Sequence, residues 1–178
     1  MVHPIQGIGG DGEGDGVGAP PDVVIEDDRW LQAGLEPLAE RAAMAVQSWL
    51  GIAAEIVVLG CDDARIAALN ADFRGKPRAT NVLSWPSVDP APRAAGERPP
   101  TPVTEELGDI AIAYETCMAE AADQGKPPDH HVTHLLVHAM LHLAGYDHEN
   151  DLDAETMEAA ERLILQTLSI PDPYRVIL

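Results

Sequence analysis

The chain has 178 residues, about the size of one domain and long enough to bury a real core. Apolar residues make up 46 % and aromatics only 4 %, so that core must be mostly Ala, Val, Leu and Ile. A formal charge of −19 excludes a protein whose whole surface grips nucleic acid through its phosphates, and any polyanion it handles needs a local basic patch.

Residues 1–20, with the run GIGGDGEGDGVGAP, lack periodicity and the apolar content that would offset the entropy of ordering them. They predict a disordered leader, and seven of the 30 acids fall before Arg29, where there is no Lys or Arg. Residues 21–178 predict a single domain. DVVIEDD reads as a first strand and RWLQAGLEPLAERAAMAVQSWLG as a helical segment that Gly51 ends, with Pro37 delaying its regular part. AEIVVLG is a β-branched run suited to a buried strand. CDDARIAALNADFRG follows with helical spacing at Ile66, Leu69 and Phe73, and either Asp62 or Asp63 can cap it.

TNVLSWP is a short strand closed by Pro86, and the tract 86–102 holds six of the fifteen prolines, which predicts a flexible surface loop. ELGDIAIAYE is a further strand that flows into a helix through TCMAEAADQG. KPPD breaks the chain, and Asp129 is placed to cap a histidine-bearing helix. A last helix, Asp151 to Leu168, has apolar residues at Leu152, Met157, Ala160, Ile164 and Leu168. The order predicts an α+β fold, a small mixed sheet packed against helices.

Cys61 and Cys117 lie far apart and form no CxxC pair, so neither a disulfide framework nor a cysteine zinc cluster is expected. The N-terminus has Gly and Asp where a signal peptide has a basic start and an apolar run, and nowhere do eighteen apolar residues run together. These features predict a cytoplasmic protein with no membrane partner.

The stretch HLLVHAMLHLAGYDHEN, residues 134–150, carries four of the seven histidines. Residues four apart on a helix share a face, so His134, His138 and His142 form a stripe on a helix whose other positions leave little solvated side. A buried imidazole left without partners costs on the order of 1–3 kcal/mol, and a divalent metal satisfies two or three at once. His134 and His142 stand about 12 Å apart along the axis, too far to share one ion, so a straight helix lends a metal two neighbouring rungs. Gly145 can turn the chain back, which brings in His148 and gives the ligand set His138, His142 and His148, spaced HxxxHxxGxxH. Three protein ligands leave a fourth position open for water, the mark of a catalytic site. His134 is expected to support the site rather than bind the ion, and His130 and His131 to be exposed.

A zincin protease has a glutamate where Ala139 stands, so the spacing points to a metal while Ala139 argues against proteolysis. Asp147, Glu149 and Asp109 are the carboxylates that could serve instead. Zinc can also activate water and polarise a phosphoryl oxygen, which keeps phosphodiester cleavage open. Such cleavage needs cationic help, and FRGKPRATN supplies Arg74, Lys76 and Arg78, three of only eleven Lys and Arg.

HAMLHLAGYDH resembles the signature of the YbeY family of metal-dependent ribosomal RNA maturation endoribonucleases. LNADFRGKPRATNVLSWP and LGDIAIA resemble further segments of that family, in its order, and the likeness runs from about residue 23 to 165. The resemblance implies one Zn²⁺ per chain on His138, His142 and His148, with His138 and Arg74 important to activity and His134, Asp147, Lys76 and Arg78 as supporting or substrate-contacting candidates. It implies a mostly parallel four-stranded sheet, a single-stranded RNA substrate in the 16S rRNA precursor, and the small ribosomal subunit with its assembly factors as partners. Ala139 stands where the family usually has glycine and Asn81 where it usually has aspartate. Two other readings compete: a metallohydrolase of peptides or amides, and a non-catalytic ribosome assembly factor stapled by zinc.

Overall fold

The computed structural model describes residues 18–175, so the leader expected over 1–20 falls, except for its last three residues, outside the described residues. The elements are β1 (Asp22–Ile25), α1 (Arg29–Gln32), α2 (Leu35–Leu50), β2 (Glu55–Cys61), α3 (Asp63–Arg74), β3 (Val82–Pro86), β4 (Glu106–Ala113), α4 (Tyr114–Asp123), α5 (Pro128–Leu143) and α6 (Asp151–Thr167). The strands form one sheet in the order β1-β2-β4-β3. β1–β2 and β2–β4 are parallel and β3–β4 is antiparallel, which is the expected α+β arrangement with a mostly parallel four-stranded sheet.

Strand alternation divides the interior in two, because successive side chains leave a strand on opposite faces. Ile56 and Val58 on β2, with Ile110 and Ile112 on β4, enter the larger core with α2, α5 and α6. Leu59 and Cys61, with Ala111 and Ala113, face the other way and take Ile66 and Leu69 of α3 and Leu83 of β3. The sheet is therefore covered on both sides, as parallel strands require.

Several local readings change. The segment 29–51 breaks into two helices at Gly34, which takes the left-handed conformation with φ of 74°, and not at Pro37. Pro37 is the third residue of α2, where its missing N–H costs no intrahelical bond. Asp62 is the residue that caps α3, accepting from the Arg65 amide at 2.7 Å, while Asp63 accepts from the amide and hydroxyl of Thr116. Leu152 is 55 % exposed and takes no part in the core face of α6.

The proline-rich tract 86–102 has anchors on α6 and α2. The Gly96 amide donates to Asp153 Oδ1 at 2.8 Å, the Thr156 hydroxyl donates to the Gly96 carbonyl at 2.7 Å, and the Arg98 guanidinium lies 4.4 Å from the centroid of the Trp49 ring.

Between β2 and β4 the register slips by one: Glu55 pairs with Glu106 and Ile56 with Gly108, which leaves Leu107 as the extra residue of a bulge. Gly108 has φ of 147°, and a Cβ placed on it would stand 2.3 Å from the Trp85 carbonyl oxygen of β3. Only a residue without a side chain lets β3 close on β4 here. Gly108→Ala is expected to lower the unfolding free energy by about 1–3 kcal/mol, read from the midpoint of urea denaturation.

Candidate metal centre

Helix α5 starts at Pro128, whose ring presets φ at a position where no N–H is needed, with Pro127 as N-cap and no side-chain cap. Asp129, expected to be that cap, lies inside the first turn, and its carbonyl accepts from the Thr133 hydroxyl at 2.7 Å. Val132, Leu136, Val137, Met140 and Leu141 are buried on several sides of the helix. At the far end Ala144 caps the helix, Gly145 takes φ of 101°, and the Tyr146 amide returns to the Leu141 carbonyl at 3.0 Å. The turn back expected at Gly145 is present, and it carries His148 over the last turn of α5.

His138, His142 and His148 meet. Each offers a ring nitrogen, and these ligand atoms all lie within 4.8 Å of one another. The ring centroids are 4.9 Å apart for His138–His142, 5.3 Å for His138–His148 and 4.9 Å for His142–His148. His134 is one rung farther, with its centroid 6.4 Å from that of His138, and it stands outside the cluster. Burial, with the neighbouring His138 and His148 adding to it, pushes the His142 ring down to about 4, so it is neutral near pH 7, the form that binds a metal. The set fits a divalent ion on donor chemistry: three imidazoles converge, and a buried carboxylate holds one of them from behind.

That carboxylate is Glu161 of α6, with no exposed surface. Its Oε1 lies 2.5 Å from His138 Nδ1, its Oε2 lies 2.9 Å from His134 Nε2, and the Tyr174 hydroxyl donates to Oε2. Burial alone pushes the carboxyl up, but the hydrogen bonds from His134, His138 and Tyr174 together outweigh it and hold the group at about 2. Neither Glu161 nor Tyr174 stood out from the sequence. A signal existed for the first: Met157, Ala160, Ile164 and Leu165 are buried at helical spacing, and position 161 falls on the same stripe.

The three histidines and His134 line a cleft of about 630 Å³ between α5 and β3. Arg74, the last residue of α3, reaches into it and donates to the Ser84 carbonyl of β3 at 3.4 Å. Lys76 and Arg78 do not line the cleft: Gly75, with φ of 67°, ends α3 in a left-handed turn, and both side chains are exposed beyond it. Asp147, Glu149 and Tyr174 are on the cleft wall, and Asp147 accepts from the His148 amide at 2.6 Å. Asp109 is buried on β4 and does not line the cleft, while Ala139 does, 1 % exposed.

A larger cleft of about 930 Å³ lies at the N-terminal end of α5 and shares His134 with the first. His131, expected to be exposed, is 4 % exposed and meets Glu120 Oε1 at 3.4 Å, because the first turn of α5 is already covered by α4. The two cysteines are buried and free, and burial pushes Cys61 up to about 12 and Cys117 higher still.

Acid should undo the metal-free site in two overlapping stages. His142 has a folded pKa near 4 against 6.5 unfolded, so the unfolded chain binds the extra proton and stability falls as pH drops through 6.5 towards 4. Glu161 has a folded pKa near 2 against 4.5, and its contribution, complete above 4.5, is lost between 4.5 and 2. Thermal melts of the chelated protein at stepped pH are expected to decline from about pH 6.5 downward, and Glu161→Gln to flatten the lower part of that decline.

Against known proteins, the family model described as "Endoribonuclease YbeY" matches residues 25–169. The chain is 67 % identical over 154 residues to the endoribonuclease YbeY of Paracoccus denitrificans, covering 86 % of this chain and 88 % of that protein. It is 54 % identical over 162 residues to that of Cereibacter sphaeroides, covering 86 % and 97 %. A solution structure from Thermotoga maritima has a TM-score of 0.53 at 20 % identity, covering 88 % of this chain and 99 % of that one, and shares the fold. With the family's model matched over most of the chain and the histidine motif folded into one cluster, the chain belongs to the YbeY endoribonuclease family.

Proposed function

We propose that the protein is a metal-dependent endoribonuclease of single-stranded RNA that acts in 16S rRNA 3′-end maturation and ribosome quality control in the cytoplasm. The observation that carries the reading is the convergence of His138, His142 and His148 in one cleft with Arg74, in a chain whose family relatives bear the name endoribonuclease. The ion is Zn²⁺, one per chain, for which neutral imidazole is a preferred ligand. Bound by the three histidines, it supplies Lewis-acid polarisation of a phosphoryl oxygen and activation of water near neutral pH.

The chain's own residues do the rest. Arg74 stands on the β3 side of the cleft, held by the Ser84 carbonyl, where its guanidinium faces a phosphate laid across the histidines. Held there before substrate arrives, it stabilises charge that builds on the phosphoryl oxygens. Asp147 is tied to the backbone of His148 and shapes the turn that presents this ligand. The substrate's strand comes from the precursor of the small ribosomal subunit, whose assembly factors are the partners. Against a formal charge of −19, Arg74 in this cleft is the cation on which acceptance of RNA beside the histidines rests.

The peptidase reading has no support at its decisive position, since Ala139 is buried and brings no carboxylate. Among the described residues no helix is long and apolar enough to cross a membrane.

Zinc-loaded protein is expected to cleave single-stranded RNA internally, and chelation or His138→Ala to abolish it. Arg74→Ala is expected to lower kcat about 10²-fold with metal content unchanged, as for loss of one group that stabilises transition-state charge. Gel analysis of a labelled 16S rRNA precursor fragment, with metal content measured alongside, checks each. Cleavage that survives both chelation and His138→Ala rules out the mechanism, and cells carrying Arg74→Ala that still mature their rRNA normally favour a zinc-stapled assembly factor.

A further inference from the structure

The side of α6 that enters the core takes Met157, Ala160, Ile164 and Leu165, and on that same side stands Glu161, wholly buried. A buried carboxylate costs several kcal/mol unless hydrogen bonds replace the water it gave up. Here its two oxygens are divided. Among the described residues Oε1 goes to His138 Nδ1 alone, and Oε2 to His134 Nε2 and the Tyr174 hydroxyl. No lysine or arginine neutralises it among the ion pairs of the described residues; the groups it meets are two imidazoles.

The division has a chemical meaning for His138. A neutral imidazole carries one proton, and a carboxylate at Nδ1 keeps that proton there, which leaves Nε2 as the lone-pair nitrogen. The ring cannot rotate about its Cβ bond without giving up the contact. Such a carboxylate fixes the tautomer and raises the basicity of a ligating imidazole. We propose that Glu161 is a positioning residue of the metal centre, which orients His138 Nε2 towards the ion, and that His134 and Tyr174 hold Glu161 in place through its second oxygen. This rests on the reading of His138, His142 and His148 as the ligands.

The arrangement explains His134. It lies on the histidine face of α5, too far along the axis to share an ion with His142, and its ring instead meets both Glu161 and Tyr174 at its Nε2, the latter at 3.4 Å. It also gives Tyr174 a function: its ring packs edge-on against His134 with centroids 5.5 Å apart, and it lines the same cleft as the ligands. The segment after α6 is thereby tied to the metal centre through one carboxylate.

Glu161→Gln keeps the shape and an acceptor oxygen while removing the charge, so it separates positioning from packing. In the full chain, Zn²⁺ affinity measured against a chromogenic chelator is expected to fall 10- to 100-fold in Glu161→Gln. The visible absorption bands of the Co²⁺-substituted protein are expected to shift, which a purely structural role would not produce, while the metal-free melting temperature near pH 7.5 falls with the loss of the buried carboxylate's charge-assisted hydrogen bonds. A second measurement needs neither the variant nor the ion: long-range ¹H–¹⁵N correlation of the metal-free wild type is expected to show His138 protonated on Nδ1. Wild-type affinity and an unchanged Co²⁺ spectrum in Glu161→Gln overturn the proposal, as does a His138 proton on Nε2. RNA cleavage enters none of these readouts, so a protein that binds zinc in this way yet leaves RNA intact overturns the endoribonuclease reading and keeps the positioning role.

Discussion

A sixteen-residue helix with almost no solvated side has little room for polar groups, and those that α5 presents along its one open strip are a line of imidazoles. Its apolar residues fix it in the larger core between the sheet, α2 and α6. What remains of its circumference is one strip, and that strip faces β3 across a cleft. The neighbours are arranged accordingly: Gly145 brings a third ring back over the strip, α6 sets a carboxylate behind it, and α3 ends so that Arg74 enters from the opposite wall.

The sheet sets the width of that cleft. β3 is the one antiparallel strand, and its distance from α5 depends on how closely it can lie against β4. The bulge at Leu107 and the bare backbone of Gly108 let it bring its Trp85 carbonyl close against β4. A structural glycine remote in sequence from every histidine therefore helps decide how far the arginine wall stands from the histidine wall.

Much of this was legible in the sequence because its causes are local. The four-residue rhythm of α5, the left-handed glycine at 145 and the strand runs are set by residues near one another in the chain, and the sheet, the helices and the three-ring cluster follow them. What was missed depends on distant contacts. Gly34 and Pro37 are both plausible breaks, and only the packing of Trp30 and Leu35 into one core chooses the first. Arg74, Lys76 and Arg78 look like one patch until Gly75 turns the chain. Glu161 reads as a surface acid until α6 is docked on α5, although its place on the apolar stripe was visible. The preference of aspartate for the cap position points to Asp129, but proline starts a helix without a side-chain cap, and the N-cap falls on Pro127.

The buried cysteines bear on which ion the cell delivers. Both thiols are protonated at neutral pH and enclosed in the two cores, so no sulfur reaches the cleft, and the cluster is built from nitrogen alone. Imidazole is a ligand of intermediate softness that suits several first-row ions, and such a set follows their general order of affinity more than it selects among them. The zinc proposed above would then be a matter of supply: the three rings offer the place, and the free concentrations maintained around the protein decide which ion takes it.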